Sequence, residues 1–129
     1  MAKKVHLAEL ALEIEKQLSE YSLDVADELK KEIKDEAKRG VRRLKQLSPR
    51  DTGEYAKGWR YKVDYEDMND IRITIYNAKK PSLTHVLENG HTIVQGRRKG
   101  DRVEGRPHIR IVEKEIEEAL DVKVKEIVR

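Results

Sequence analysis

Apolar residues recur at steps of three and four positions from Val5 to Leu47. Steps of this size place side chains on one face of an α-helix. The positions are Leu7, Leu10, Ile14, Leu18, Tyr21, Val25, Leu29, Ile33, Ala37, Val41 and Leu44. No Pro interrupts them, and Gly40 is the only interior residue with poor helix propensity. The pattern predicts a long, charged N-terminal helix, either continuous or broken near residues 21–24 or at Gly40.

The segment that follows this stripe reads as a hinge. Pro49 moves the preceding residue out of the helical region and so ends the helix. Asp51 and Glu54 have the spacing of a capping box, and Gly53 permits a tight turn. We therefore expect one short helical turn over residues 52–57, between the long helix and a sheet.

Two alternating stretches follow the hinge, over residues 59–65 and 71–76. Their period of two predicts half-buried strands, and the polar link of about five residues between them predicts a β-hairpin. The aromatic residues Trp59, Tyr61 and Tyr65 share one side of the first strand, and we expect that side to face the core. A base-stacking role would require the same side to be exposed.

The remaining chain alternates short elements with turns. Ser82 is placed to cap a short helix that Asn89-Gly90 ends. Residues 92–94 and 103–104 suggest a third and a fourth strand, and Pro107 suits the first turn of a final helix. The final helix carries its apolar residues at Ile109, Val112, Ile116, Leu120, Val124 and Ile127.

These elements predict an α+β fold within one domain. It combines the long N-terminal helix, a small antiparallel sheet of three to four strands, and a short helix and a C-terminal helix packed on the sheet. Within the domain, residues 1–47 form a helical arm, residues 48–107 contain the hinge, hairpin and loop, and residues 108–129 form the C-terminal helix.

Composition adds that the core is thinly supplied. Charged residues make up 41% of the 129 residues and hydrophobic residues 37%, with no Phe. Either the protein is partly extended, or it is a subunit that completes its core against copies or partners; the good patterning of the apolar residues favours the second. The chain has no Cys, no apolar run of about 20 residues and no signal-peptide pattern, so an intracellular, soluble protein is expected.

The net charge is only +3, but it is unevenly distributed. Residues 3–36 lean acidic, residues 37–50 contain basic residues and no acid, and residues 95–110 are basic again. Such blocks suit nucleic acid or complementary contacts between subunits, and the modest net charge favours subunit contacts. The candidate assembly contacts are Lys38, Arg39, Arg42, Arg43, Arg97, Arg98, Lys99 and Arg102.

Signs of catalysis are few. His85, Glu88 and His91 form a possible metal-ligand set, but their spacing does not put both His on one helical face. Asp51-Thr52-Gly53 matches the triplet of aspartic proteases, yet here it sits in a polar hinge. No nucleophile elbow, phosphate-binding Gly loop or dinucleotide fingerprint is present. We expect neither an enzyme nor a cofactor; a metal-dependent hydrolase using the His set remains a minor alternative.

Three short signatures occur in a particular order along the chain. They are Pro49-Arg50-Asp51-Thr52-Gly53, His85-Val86-Leu87-Glu88-Asn89-Gly90 and Gly105-Arg106-Pro107-His108-Ile109. Their order, over roughly residues 48–120, resembles that of the tail-completion, or head–tail joining, proteins of long-tailed double-stranded DNA bacteriophages. The carried-over signature residues are Asp51, Thr52, Gly53, Glu88, Gly90, Gly105, Arg106 and Pro107. Three residues depart from the family pattern: Tyr55 stands where an aliphatic residue is usual, Gly58 where Ser is common, and His108 where an aromatic residue is favoured.

The resemblance implies a non-enzymatic virion protein from a phage or an integrated prophage. It implies one subunit of a homo-oligomeric ring at the junction of the capsid connector and the tail tube, assembled in the host cytoplasm. The expected partners are the connector or adaptor and the tail tube proteins, with no membrane and no sequence-specific nucleic acid. The loop over residues 96–105 is expected to order on assembly. The alternative is a small helical nucleic-acid-binding regulator using the basic segment 38–50.

Overall fold

The computed structural model describes residues 2–5, 12–50 and 52–128. The elements are β1 (Ala2–Val5), β2 (Leu12–Gln17), α1 (Leu23–Leu47), α2 (Glu54–Lys57), β3 (Trp59–Glu66), β4 (Asp70–Asn77), α3 (Leu83–Asn89), β5 (Gly90–Thr92), β6 (Arg102–Glu104) and α4 (Ile109–Ile127). The predicted α+β class is confirmed, with a long helix early in the chain and a C-terminal helix.

The long helix is shorter than the periodicity predicts. It begins at Leu23, where the Ser22 hydroxyl accepts a hydrogen bond from the Val25 N–H (3.3 Å), and it runs through Gly40 without interruption. The helix thus begins where one of the two breaks was predicted, near residues 21–24, but no second helix precedes it in the described residues, and the alternative of a break at Gly40 is wrong. Before the break, residues 12–17 form a strand and not a helix. Leu7 and Leu10 of the predicted stripe lie outside the described residues.

The main sheet has four antiparallel strands in the order β1-β2-β4-β3. The predicted hairpin is confirmed as β3 and β4, and β2 pairs with the other edge of β4, so that Ile73 lies opposite both Ile14 and Val63. The strands expected at residues 92–94 and 103–104 lie at β5 and β6 and pair with each other in a separate two-stranded sheet. The sheet therefore has the predicted size, but two of its members were predicted wrongly.

One face of the main sheet carries the core. Ile71, Ile73 and Ile75 on β4 are fully buried, α1 lies against β3 and β4, and α4 packs along α1. The close approach of the two helices occurs at Gly40, where a Cβ atom would lie 2.7 Å from Ile116 Cδ1. The predicted apolar stripe of α4 is confirmed, since it is buried or half-buried along its length.

The aromatic side of β3 is only partly in the core. Trp59 is buried as predicted and Tyr61 is half-buried, but Tyr65 is exposed. β3 is an edge strand, and a register shift between Val63 and Tyr65 interrupts the alternation.

Within the described ranges, no helix combines the length and the apolar character that a membrane span requires.

Candidate functional site

The second and third signatures meet at the start of α4. The Glu88 carboxylate, on α3, accepts hydrogen bonds from the backbone N–H groups of His108 (2.8 Å), Ile109 (2.8 Å) and Arg110 (3.1 Å). His108 occupies the N-cap position of α4, but its own side chain makes no capping bond. Glu88, which is only 2% exposed, therefore caps α4 from a neighbouring helix and stabilises its N-terminus.

The glycines of these two signatures allow their backbones to touch. A Cβ on Gly105 would lie 2.5 Å from the carbonyl oxygen of Glu88 and 2.8 Å from the nitrogen of Gly90. Next to this contact, the Arg106 N–H donates to the Leu87 carbonyl (2.8 Å). Since backbone atoms surround the position, any side chain there would push the α3 end away from the segment that leads into α4.

Two of the departures from the family pattern, Tyr55 and His108, belong to one buried hydrogen bond. The Tyr55 hydroxyl lies 2.6 Å from Nε2 of His108, while Nδ1 of His108 lies 2.7 Å from the Arg106 carbonyl. A proton on Nδ1 satisfies both contacts, because the ring then donates to the carbonyl and accepts from the hydroxyl. Trp59 packs edge-on against both rings, with centroids 5.6 Å from Tyr55 and 6.1 Å from His108. The two departures thus compensate each other.

The environment keeps this pair neutral. Burial lowers the pKa of His108 and outweighs the Glu88 carboxylate, whose Oε1 lies 3.1 Å from Nδ1 and favours the charged ring. Burial, reinforced by the negative charge of Glu88, raises the pKa of Tyr55 well above its usual value near 10. The contact between the two side chains holds α2 against the start of α4.

A second polar pair ties the end of α1 to the sheet. The Ser48 hydroxyl donates to the Leu44 carbonyl (2.5 Å) and accepts from Nε1 of Trp59 (2.8 Å). On β4, the Asn77 amide nitrogen donates to the Tyr55 carbonyl (2.8 Å). Sequence reasoning assigned no role to Ser48 or Asn77. For Asn77 a signal existed, since it continues the core-facing alternation of the β4 isoleucines.

The first signature makes the turn between α1 and α2. Gly53 has a φ of +87° and occupies the N-cap position of α2, which confirms the tight turn. The predicted helical turn over 52–57 is observed as α2, and the Thr52 hydroxyl accepts a hydrogen bond from the Glu54 N–H (3.3 Å). The capping box predicted for Asp51 and Glu54 is wrong for Glu54, because Gly53 is the N-cap and Glu54 is the first residue of α2, not the third. Asp51 itself lies outside the described residues.

Two flanking predictions need correction. Ser82 occupies the N-cap position of α3, but its side chain makes no capping hydrogen bond. Pro107 lies one residue before the N-cap of α4 and not in its first turn. The helix starts after the proline, and the Glu88 carboxylate binds its first backbone N–H groups.

An open cleft of about 600 Å³ lies beside the signatures. Its described lining is Pro49, Arg50, Thr52, Gly53, Glu54, Tyr55, Lys80, Leu83, Leu87, Val103 and Arg106. Apolar side chains from α3 and β6 line it together with three cations from three separate segments. Sequence reasoning had no means to find it, because its walls come from distant parts of the chain.

Two of the predicted assembly contacts, Arg39 and Arg43, join α1 to α4 within the chain. The Arg43 guanidinium forms two hydrogen bonds with the Glu115 carboxylate on α4, at 3.0 and 2.9 Å, and lowers the pKa of that carboxyl. Arg39 pairs with Glu36 (2.7 Å) and donates to the Glu115 carbonyl (3.3 Å). The basic segment 38–50 is therefore partly neutralised within the chain, which weakens the nucleic-acid alternative.

The other candidate contacts are at the surface. Lys38 and Arg42 are exposed on α1. The list is completed by Arg97, Arg98, Lys99 and Arg102, which are exposed on or beside the β5–β6 hairpin. Within that hairpin the Ile93 N–H donates to the Asp101 carbonyl, and the Gly100 N–H donates to the Ile93 carbonyl, each at 2.8 Å. The structure thus brings Arg97, Arg98 and Lys99 to the tip of a closed turn, where Arg98 lies 3.3 Å from Asp101, while the Arg102 guanidinium donates to the Asn89 carbonyl at the end of α3.

The possible metal-ligand set does not converge. Glu88 points into the protein, where backbone N–H groups occupy both carboxylate oxygens, while His85 and His91 are exposed. The Asn89 amide donates to Nδ1 of His85 (3.1 Å). Among the described residues, no three His, Cys, Asp or Glu side chains gather in a way that could hold a metal ion.

Comparison with known proteins places this chain. A family model described as "Bacteriophage HK97-gp10, putative tail-component" matches residues 13–90, which is more than half of the 129 residues. The chain belongs to this HK97-gp10-like family of phage tail components. The match runs from β2 to the end of α3, so it includes the first two signatures, whereas Gly105-Arg106-Pro107 lies beyond it. Neither the search of the curated proteins nor the search of the solved structures finds a match.

Proposed function

We propose that this tail component acts in head–tail joining or tail completion, as one subunit of a ring at the connector–tail junction. Membership of the HK97-gp10-like family carries the proposal. The roles of the signature residues support a structural protein, because Glu88, Gly90 and Gly105 are occupied in holding α3, β6 and α4 together.

The outer face of the main sheet supports a protein that stays dispersed before it assembles. Several described side chains there are charged and paired with each other, such as Arg72 with Glu15 (3.2 Å) and Lys62 with Asp64 (3.8 Å). Paired surface charges add little to the stability of the fold, but they disfavour association of an exposed sheet with other sheets. Contacts with partners then depend on complementary charge patches more than on a large apolar face.

The tip of the β5–β6 hairpin is the part we assign to the connector or the tail tube. It presents Arg97, Arg98 and Lys99 together with Val94, which is 73% exposed. An exposed apolar side chain among cations suits an acidic partner surface with an apolar centre. Lys38 and Arg42 on α1 supply a second exposed basic patch.

Electron microscopy of the purified protein tests the proposal, alone and after mixing with the connector or with tail tubes of the same phage. We expect rings that form, or become much more frequent, when connector or tail ends are present. A triple variant with Arg97, Arg98 and Lys99 replaced by Glu should bind these particles poorly. The control variant Lys114→Glu, at an exposed position of α4, should bind them normally. A strict monomer that binds neither particle would refute the proposal.

DNA titration at two salt concentrations separates the regulator alternative. A protein that neutralises several phosphates loses affinity steeply as salt increases. We expect only weak binding, because Arg39 and Arg43 are already paired with carboxylates of the same chain.

A further inference from the structure

The cleft beside the signatures has an apolar floor and a basic rim. Leu83 and Val103 are 37% and 36% exposed there, and Leu87 lies between them half-buried. Arg50, Lys80 and Arg106 stand around the floor. The volume of about 600 Å³ is within the range of about 300–1,000 Å³ that usually holds a compact group. Such a cleft fits an apolar side chain that has carboxylates next to it.

The only acid in the described lining does not change this balance. Glu54 lies at the cleft, but its carboxylate is 3.8 Å from Nζ of Lys79, a further cation close by. The rim thus stays basic after this pair is taken into account.

The opposite end of α1 carries the complementary group. Leu23, the first residue of the helix, is 62% exposed. Asp27 lies one turn later on the same face, with Asp24 beside it, and both are exposed. The nearby cation Lys30 is directed towards Glu66 on β3 (3.8 Å). This first turn is therefore an exposed leucine flanked by acids.

The two ends cannot meet within one molecule. α1 has 25 residues and rises about 1.5 Å per residue, so its first turn and the hinge after it are separated by the length of the helix. Two different, complementary patches at opposite ends of a subunit produce a head-to-tail contact. When the rotation between neighbours divides a full turn evenly and has no rise, such a contact closes into a ring; otherwise it forms an open filament.

We propose that the cleft of one copy receives the first turn of α1 from a second copy. Leu23 inserts between Leu83 and Val103, while Asp24 and Asp27 face the cations of the rim. The proposal deepens the ring proposed above and rests on it. It specifies which surfaces of neighbouring subunits meet, and the family match gives no information on that contact.

Engineered cysteines test the contact cleanly, because the chain has no Cys. Leu23→Cys is mixed under mild oxidation with Leu83→Cys, and separately with Val103→Cys, since a disulfide requires a Cα separation of about 4.4–6.8 Å and one position can miss it. The control partner is Val122→Cys, which is 55% exposed on α4. We expect at least one cleft position to cross-link about tenfold faster than the control. Equal rates at all three positions would overturn the proposal.

Charge exchange provides a second, independent measurement. Asp27→Lys and Lys80→Glu should each weaken self-association about tenfold, and mixing the two variants should restore it, with larger effects at low salt. Lys114→Glu, the same charge reversal at an exposed position of α4, should leave self-association unchanged. If the mixture does not regain association, the two patches do not meet.

Ring formation is scored separately by electron microscopy, so the two failures differ. Rings without the Leu23 cross-link leave the ring proposal standing and overturn this contact. Cross-linking of Leu83→Cys to the connector or the tail tube protein, and not to a second copy, also overturns it. If no ring forms even with connector and tail tubes, both proposals are wrong.

Discussion

The capping of α4 by Glu88 leads to the most direct test of how the signatures work. Replacing Glu88 with Ala removes the acceptor of the N–H groups of His108, Ile109 and Arg110. The first two residues are buried, so water cannot replace the carboxylate there. An orphaned buried donor costs about 1–3 kcal/mol, and two of them give a loss of about 2–6 kcal/mol in the free energy of unfolding. Small domains have only about 5–15 kcal/mol in total.

Glu88→Gln is the milder version of the same change. The amide oxygen keeps an acceptor for two N–H groups but loses the charge, which makes such bonds about twice as strong. We expect a loss of about 1–2 kcal/mol. Glu118→Ala is the control, because Glu118 is exposed on α4 and its ion pair with Lys114 is long at 4.0 Å. This substitution should change stability by less than about 0.5 kcal/mol.

Urea denaturation measures these differences, followed by circular dichroism and by the fluorescence of Trp59, the single Trp of the chain. Trp59 is buried against Tyr55 and His108, so it reports on the junction itself. If Glu88→Ala unfolds within about 0.5 kcal/mol of the unchanged protein, a difference typical of neutral surface changes, the carboxylate does not stabilise α4 and the reasoning is wrong.

Four further predictions follow from the same geometry. Gly105→Ala should cost about 1–3 kcal/mol by overpacking against backbone atoms, measured by urea denaturation. Gly53→Val should impair folding or assembly because a β-branched residue is strained at a φ of +87°, whereas Gly53→Asn should be tolerated; equal melting temperatures would contradict the hinge. The lowered pKa of His108 means that the unfolded chain binds the proton more readily. Stability should thus be complete above pH 6.5 and decline as pH falls below it, and His108→Phe should remove that decline in melts at several pH values. Because the pKa of Glu115 is lowered, its ion pair with Arg43 stabilises the fold above about pH 4.5, and this stabilisation is lost as pH falls further. Arg43→Gln should reduce the loss of stability at acid pH, and an unchanged loss would exclude the α1–α4 ion pair as its cause.

The candidate site was predictable as a set of residues but not as an arrangement. Glu88, Gly90 and Gly105 stand out through their family resemblance, yet nothing local links the end of α3 to the start of α4. Glu88 and His108 are twenty residues apart, and only the folding of the intervening hairpin brings the carboxylate to the helix N-terminus. The hydrogen bond between Tyr55 and His108 is hidden in the same way, because each residue alone is merely an unusual choice for its position.

The main sheet shows the same division between local pattern and tertiary context. The β3–β4 hairpin was readable because strict alternation over two stretches allows no helical interpretation. β2 was not, since Ile14 and Leu18 are four positions apart, and a step of four places two residues on one side of a strand as well as on one face of a helix. The Glu and Lys residues between them favour a helix locally.

By itself, the sequence determined the elements whose period is unambiguous: the helical stripe of α1, the β3–β4 hairpin and α4, while the residue at which α1 begins stayed open. It also determined the order of signatures that marks the family. Only the tertiary structure decided that residues 12–17 are a strand, because the free edge of β4 offers backbone partners and a place for Leu12 and Ile14 in the core. It likewise decided which cations remain exposed, since Glu115 on α4 holds Arg43 and comes close to Arg39 only once the two helices pack. Local propensity sets what a segment prefers, and the partners available in the folded chain decide between preferences of similar strength.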